Sequence, residues 1–249
     1  EICGRDPNRL FHHRIKNYET QHKIYQEVTA STAVLNDGVT AISEIERVIR
    51  TTKKLSRPGY IEIPRDMVNV DAPPRCVPSY KGTDNKKTVL KEALEEIVTR
   101  LNNSRRPVIY AGEEIKRFGL MSALVKLIEK LNLPVATSLM GKSVLPEDHP
   151  NFIGNYIGRL SPKPVRDYVE RSDCILSLGT LPIDFGVAAA FASYTQNMIQ
   201  ATSEHVCVSH HCYQGINLAD VVEGLLKSKG LKRRSFEPPK KGPIKGKKL

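Results

Sequence analysis

From residue 85 onward, short apolar runs bounded by proline or glycine alternate with amphipathic stretches, and this alternation limits the folds open to the chain. Asn85 to Leu101 carries Val89, Ala93, Leu94, Ile97, Val98 and Leu101 as one helical stripe. Arg106-Pro107-Val108-Ile109-Tyr110-Ala111-Gly112 then reads as a buried strand, opened by Pro107 and stopped by Gly112. The pair of signals recurs as a helix over about Leu120 to Leu131 and a strand over Val135 to Leu139. It recurs again as a helix after Ser161-Pro162, ending near Glu170, and a strand over Cys174 to Gly179. Met198 to Thr202 and Val206 to Ser209 read as further strands, and Leu218 to Leu226 as a closing helix. Apolar strands separated by helices of ~10–15 residues predict an α/β domain with a doubly wound parallel sheet over residues 85–226.

The first 70 residues follow the same grammar but are fewer. Asp37 is placed to cap a helix through about Leu55, with Ile42, Ile45, Val48 and Ile49 as its buried stripe. Pro58-Gly59-Tyr60-Ile61-Glu62-Ile63-Pro64 is a short strand between prolines. So few strands do not close a core. Residues 1–70 are therefore expected to be the end of a second α/β domain whose beginning lies outside the chain, joined through a Pro-containing linker over 71–84.

The formal net charge of +11 suggests nucleic acid until it is mapped. From Lys227 to Leu249 there are ten Lys or Arg and one acid, Glu237, whereas the remaining 226 residues carry 28 basic and 26 acidic groups. The basicity belongs to a Pro/Lys-rich linker or tail over 227–249, which is expected to be solvated. Nucleic acid is not the expected partner. No apolar run approaches the ~20 residues of a membrane helix and no signal-peptide pattern opens the sequence, so a soluble, cytoplasmic protein without a membrane partner is expected. Five cysteines without a Cys-x-x-Cys pair are expected to be reduced thiols.

Three local patterns invite a ligand and fail on chemistry. Gly141-Lys142-Ser143 lacks the glycine five positions earlier that a phosphate loop requires; Ala136 stands there, and a helix-starting turn is expected instead. The turns Gly112-Glu113-Glu114 and Gly179-Thr180-Leu181-Pro182 lack the three spaced glycines of a dinucleotide site. In Cys207-Val208-Ser209-His210-His211-Cys212, read as one strand, successive side chains point to opposite faces and do not surround a zinc ion. Two buried thiols and two partly exposed imidazoles are expected there. His12-His13 differs: it lies in a turn-rich polar stretch, and adjacent imidazoles suit proton transfer near neutrality.

Several stretches together resemble the thiamine-diphosphate-dependent 2-oxo acid decarboxylases, in the pyruvate, indolepyruvate and phenylpyruvate branch. Leu10-Phe11-His12-His13, Tyr25 to Thr29, Ala33-Val34-Leu35, Glu44 to Val48 and Arg57 to Asp66 are similar to the second half of that family's pyrimidine-binding domain. Arg106 to Gly112, Phe118-Gly119-Leu120, Pro134 to Thr137, Leu139 to Val144, His149-Pro150, Ser172 to Gly179 and Asp184 are similar to its central domain. The resemblance implies a Rossmann-like, DHS-like central domain, a 2-oxo acid substrate, thiamine diphosphate with magnesium, a homo-oligomer, and an active-site histidine pair at His12 and His13. It does not imply the flavin that some central domains of the wider family bind.

Two features of the family have no counterpart in this chain. Its diphosphate and magnesium are held by a Gly-Asp-Gly motif in a third domain, and no Gly-Asp-Gly occurs here. Its cofactor-activating glutamate belongs to the first half of the pyrimidine-binding domain. The expectation is therefore part of a non-oxidative carboxy-lyase, inactive alone and completed by a diphosphate-binding domain. No cofactor-binding or metal-ligating residue is assigned within it. The alternative is a non-catalytic α/β scaffold or interaction module with a basic tail.

Overall fold

The computed structural model describes residues 2–3, 19–72, 85–181 and 195–236. The chain forms two compact units, Glu1–Lys81 and Gly82–Leu249.

In the first unit, strands β1 (Ile2–Cys3), β2 (Ser31–Val34) and β3 (Gly59–Pro64) make a parallel sheet in the order β1-β3-β2. Helix α1 (Thr20–Val28) precedes β2, and helix α2 (Gly38–Leu55) connects β2 to β3. Asp37 caps α2 as expected, accepting the Val39 N–H at 3.0 Å. Ala33, Leu35 and Val48 are buried together, with Ala41, Ile45, Ile61 and Ile63 against them, so one sheet face lies on α2. Alternation along β3 sends Tyr60 and Glu62 to the opposite face. Sequence reading finds neither α1 nor β2. The reason is physical: α1 buries no residue, so no apolar stripe marks it, and Ser31-Thr32-Ala33-Val34 is half polar.

The second unit carries the expected α/β domain. Its seven strands are β4 (Pro107–Ala111), β5 (Val135–Thr137), β6 (Phe152–Asn155), β7 (Cys174–Leu178), β8 (Met198–Ala201), β9 (Val206–Val208) and β10 (His211–Tyr213). They run in the order β10-β9-β8-β7-β4-β5-β6, parallel from β8 to β6, with β9 and β10 antiparallel at one edge. Helices α3 (Asn85–Asn103), α5 (Met121–Leu131) and α7 (Leu218–Lys227) pack on Ile109, Ala111, Leu176 and Leu178. Helix α6 (Lys163–Glu170) covers the other face through Val165 and Val169 against Val108, Tyr110 and Ile175. A single-turn helix, α4 (Glu114–Arg117), follows β4. No helix among the described residues is long and apolar enough to cross a membrane.

Three expectations are corrected. The turn at Gly141-Lys142-Ser143 starts no helix: Ser138 Oγ accepts the Gly141 N–H at 2.9 Å, and turns lead on to β6. Residues 206–213 are a hairpin, not one strand, because Ser209 takes a left-handed φ of 56° and reverses the chain. Cys207 and Cys212 thereby face each other and form a disulfide, with Cys212 exposed, so they are not buried thiols. Third, residues 228–236 are strapped to the domain by hydrogen bonds, although Lys229, Gly230, Lys232, Arg233 and Ser235 stay exposed to solvent as expected. Arg234 donates to the carbonyls of Leu101, Asn102 and Ser104 at 2.5, 3.0 and 2.9 Å, where α3 ends with unpaired acceptors. Its own N–H reaches Leu131 O at 2.8 Å, and Asn132 Nδ2 donates to Arg234 O at 2.9 Å. Lys130 Nζ donates to the carbonyls of Leu225, Leu226 and Ser228 at the end of α7. Residues 73–84 and 237–249, parts of the expected linker and tail, lie outside the described residues, as does Asp184.

Candidate functional site

Open α/β sheets bind ligands outside the carboxyl ends of their strands, where the strand order reverses. In the second unit that point lies between β4 and β7, and there backbone closes on backbone. The Gly112 N–H reaches Leu178 O at 2.9 Å and the Glu114 N–H reaches Gly179 O at 3.1 Å. A Cβ on Gly112 would stand 2.2 Å from Gly179 O, and one on Gly141 would stand 2.6 Å from Ala111 O. These glycines serve close packing of turn on turn. Glu114, only 1% exposed, turns its carboxylate to the Ser203 N–H at 2.9 Å and the Ser203 hydroxyl at 2.6 Å. That carboxylate is a structural clasp between the β4 and β8 turns, engaged by donors that a ligand would have to displace.

The first unit places polar groups where a sheet face is ordinarily apolar. Glu62 is 7% exposed on the face toward α1. Its Oε2 accepts from the Tyr60 hydroxyl at 3.1 Å, a pairing set by the two-residue strand period. His22, one turn into α1, brings Nδ1 to 3.9 Å from the same oxygen; this nitrogen is buried and has no hydrogen-bond partner. Tyr25 stacks on Tyr60 with centroids 4.1 Å apart, covering the cluster. A buried carboxylate is costly unless other groups hold it. An imidazole, a phenol and a carboxylate thus meet at one spot, a set able to hold or pass a proton. The alternation in Tyr60-Ile61-Glu62-Ile63 was the signal for Glu62. His22 had none, because α1 itself is not marked in the sequence.

The two expected catalytic residues, His12 and His13, lie outside the described residues. They belong to residues 4–18, the stretch that connects β1 to α1. Of the other histidines singled out, His211 brings Nδ1 to 3.1 Å from Glu96 Oε2 on α3, and the Tyr213 hydroxyl donates to the same oxygen. Burial, with Glu96 beside it, raises the Tyr213 phenol above its ordinary range. Burial also pushes the Cys174 thiol up to about 12, which keeps it protonated and inert.

A diphosphate with a divalent cation needs converging amides and carboxylates. No group of three or more His, Cys, Asp or Glu among the described residues can hold a metal ion, and the β4/β7 crevice is filled by backbone. These residues do not fit thiamine diphosphate or magnesium.

Fold and topology define a class, the doubly wound α/β domain whose switch point is closed. Residues 94–223 match the family model described as thiamine pyrophosphate enzyme, central domain. The chain is 30% identical over 237 residues to pyruvate decarboxylase isozyme 1 of Saccharomyces cerevisiae, covering 92% of this chain and 42% of that protein. It is 32% identical over 222 residues to indole-3-pyruvate decarboxylase of Azospirillum brasilense, covering 87% and 40%. Pyruvate decarboxylase of Hanseniaspora uvarum is 28% identical over 250 residues, covering 94% and 44%. The chain belongs to the thiamine-pyrophosphate-dependent 2-oxo acid decarboxylase family. It spans about two fifths of the length of these relatives.

Proposed function

We propose that this chain supplies part of the pyrimidine-binding domain and the central domain of a thiamine-diphosphate- and magnesium-dependent 2-oxo acid decarboxylase. The observation that carries the reading is that similarity to decarboxylases runs through both units, over 87–94% of the chain for the three relatives above. The substrates are 2-oxo acids of the pyruvate, indolepyruvate or phenylpyruvate type, and the setting is the cytoplasm. The electron sink for release of carbon dioxide is the cofactor's own chemistry. Its seat belongs to a diphosphate-binding domain that completes the enzyme, as a homo-oligomer. The part of this chain is proton management at His12 and His13, which orient and protonate reacting groups. Alone, it is catalytically silent.

Two assays test this. The purified chain, given thiamine diphosphate, magnesium and each of the three 2-oxo acids, should release no carbon dioxide. Residues 1–249 grafted into the Azospirillum enzyme in place of the matching stretch should restore release. His12→Asn or His13→Asn in the graft should lower turnover on the order of 100-fold or more while leaving its melting temperature within a few degrees. A graft that folds by circular dichroism yet turns nothing over supports the second reading, a non-catalytic α/β module. The close packing of turn on turn at the β4/β7 crevice is the observation favouring that reading.

A further inference from the structure

The β9–β10 hairpin ends the seven-stranded sheet with a strand of three residues. Cys207 and Cys212 are directly opposed in its register and are bonded. Alternation separates the hairpin's two faces. His211 and Tyr213 point toward α3, where both engage Glu96, and their rings stand 4.3 Å apart. Cys212, between them, points the other way and is exposed, whereas Cys207 is half-buried beside Gln200 of β8. The bond spans only five positions, and the loop-entropy gain from a cross-link grows with loop length. Its effect is therefore local: it pins β10 to β9 and so helps hold the Glu96 contacts in place.

We propose that Cys207–Cys212 is a thiol–disulfide exchange site whose reaction partner is a soluble thiol, with Cys212 Sγ as the sulfur attacked. A thiolate of a dithiol reductant attacks Cys212 Sγ; the S–S bond breaks, and Cys207 leaves as a thiolate that takes a proton from water. The reductant's second thiol then attacks its own sulfur in the mixed disulfide, freeing Cys212 as a thiol. Two electrons and two protons pass to the protein, and the reductant leaves as a cyclic disulfide. Access decides which sulfur is attacked, because exchange requires in-line approach and Cys212 is exposed whereas Cys207 is half-buried. Opening the bond leaves β10 held by its short ladder, by Glu96 and by the packing of Tyr213 in the core. Cys174, buried and protonated, stays outside the exchange.

The full chain tests this directly. After equilibration with oxidised glutathione, Cys207 and Cys212 should resist iodoacetamide, and dithiothreitol should expose both, as read by peptide mass spectrometry. With glutathione disulfide, the Cys207→Ser chain should take up the adduct at Cys212 several-fold faster than the Cys212→Ser chain does at Cys207. Reduction of the wild type should raise amide exchange at residues 211–213 several-fold and leave β7 unchanged. Free alkylation of both cysteines in the oxidised sample, equal adduct rates in the two variants, or unaltered exchange in β10 would each overturn the proposal.

Discussion

Glu114 is the residue on which the closed end of the second unit depends. It is buried and accepts two hydrogen bonds from Ser203, so Glu114→Ala leaves an N–H and a hydroxyl without their acceptor. The expected loss is about 3 kcal/mol, since orphaned donors of a charged acceptor cost roughly 1–3 kcal/mol each; urea unfolding measures it. Asp173 gives a second prediction, in pH. Burial alone would raise its carboxyl, but donation from Ser104 Oγ and from the Arg105 and Arg106 N–H groups outweighs this and lowers it. A carboxyl lowered by folding stabilises the native state above the unfolded value near 4, and that stability is lost as pH falls through the lower folded value. Between about pH 4 and the acid limit, Asp173→Asn should therefore show a shallower loss of stability than wild type. Equal slopes would mean that these bonds form equally well without the charge.

At the scale of elements, the strap over 228–236 ties the ends of two helices. Arg234 caps α3 and Lys130 caps α7, each with one cation over carbonyls that the helix leaves without partners. Arg234→Ala should destabilise the domain by about 1–2 kcal/mol, the net value of charge-assisted bonds at a half-exposed site. Ending the chain at Lys227 should cost more than that single change. Calorimetry on both variants tests the order; a shortened chain as stable as wild type would make the strap ornamental. This element was illegible because its composition, rich in Lys and Arg, is that of a solvated segment. Only the positions of two helix ends give those cations acceptors.

For the whole molecule, the two units differ in the core they enclose. Three buried apolar residues anchor the first unit's described core, whereas the second packs both faces of a seven-stranded sheet. The first unit is expected to open first. Limited thermolysis should cut within 1–81 while leaving a resistant piece over 85–226, and reversal of that order would refute the comparison. The silence toward 2-oxo acids that we propose for the chain alone is tested at this scale too, since carbon dioxide release needs an electron sink that side chains do not provide.

The sequence by itself determined the elements whose burial is periodic. Helices α3, α5 and α7 and strands β4, β7 and β8 were legible because an apolar stripe or run records which side meets the core. The helix cap at Asp37 was legible because its side chain acts on the next turn. The doubly wound class followed from their order. What only the tertiary structure decided involves partners distant in the chain. Glu62 reads as an ordinary strand polar residue until α1 sets His22 beside it. Glu114 meets Ser203 across 89 positions, and Arg234 finds the end of α3 some 130 positions away. Even the hairpin that unites Cys207 with Cys212 turns on one left-handed serine, Ser209, a residue type with no preference for that conformation. Local periodicity is written along the chain because each residue carries its own hydrophobicity. Pairing is not, because the energy of a buried polar group depends on which distant donor or acceptor folding brings to it.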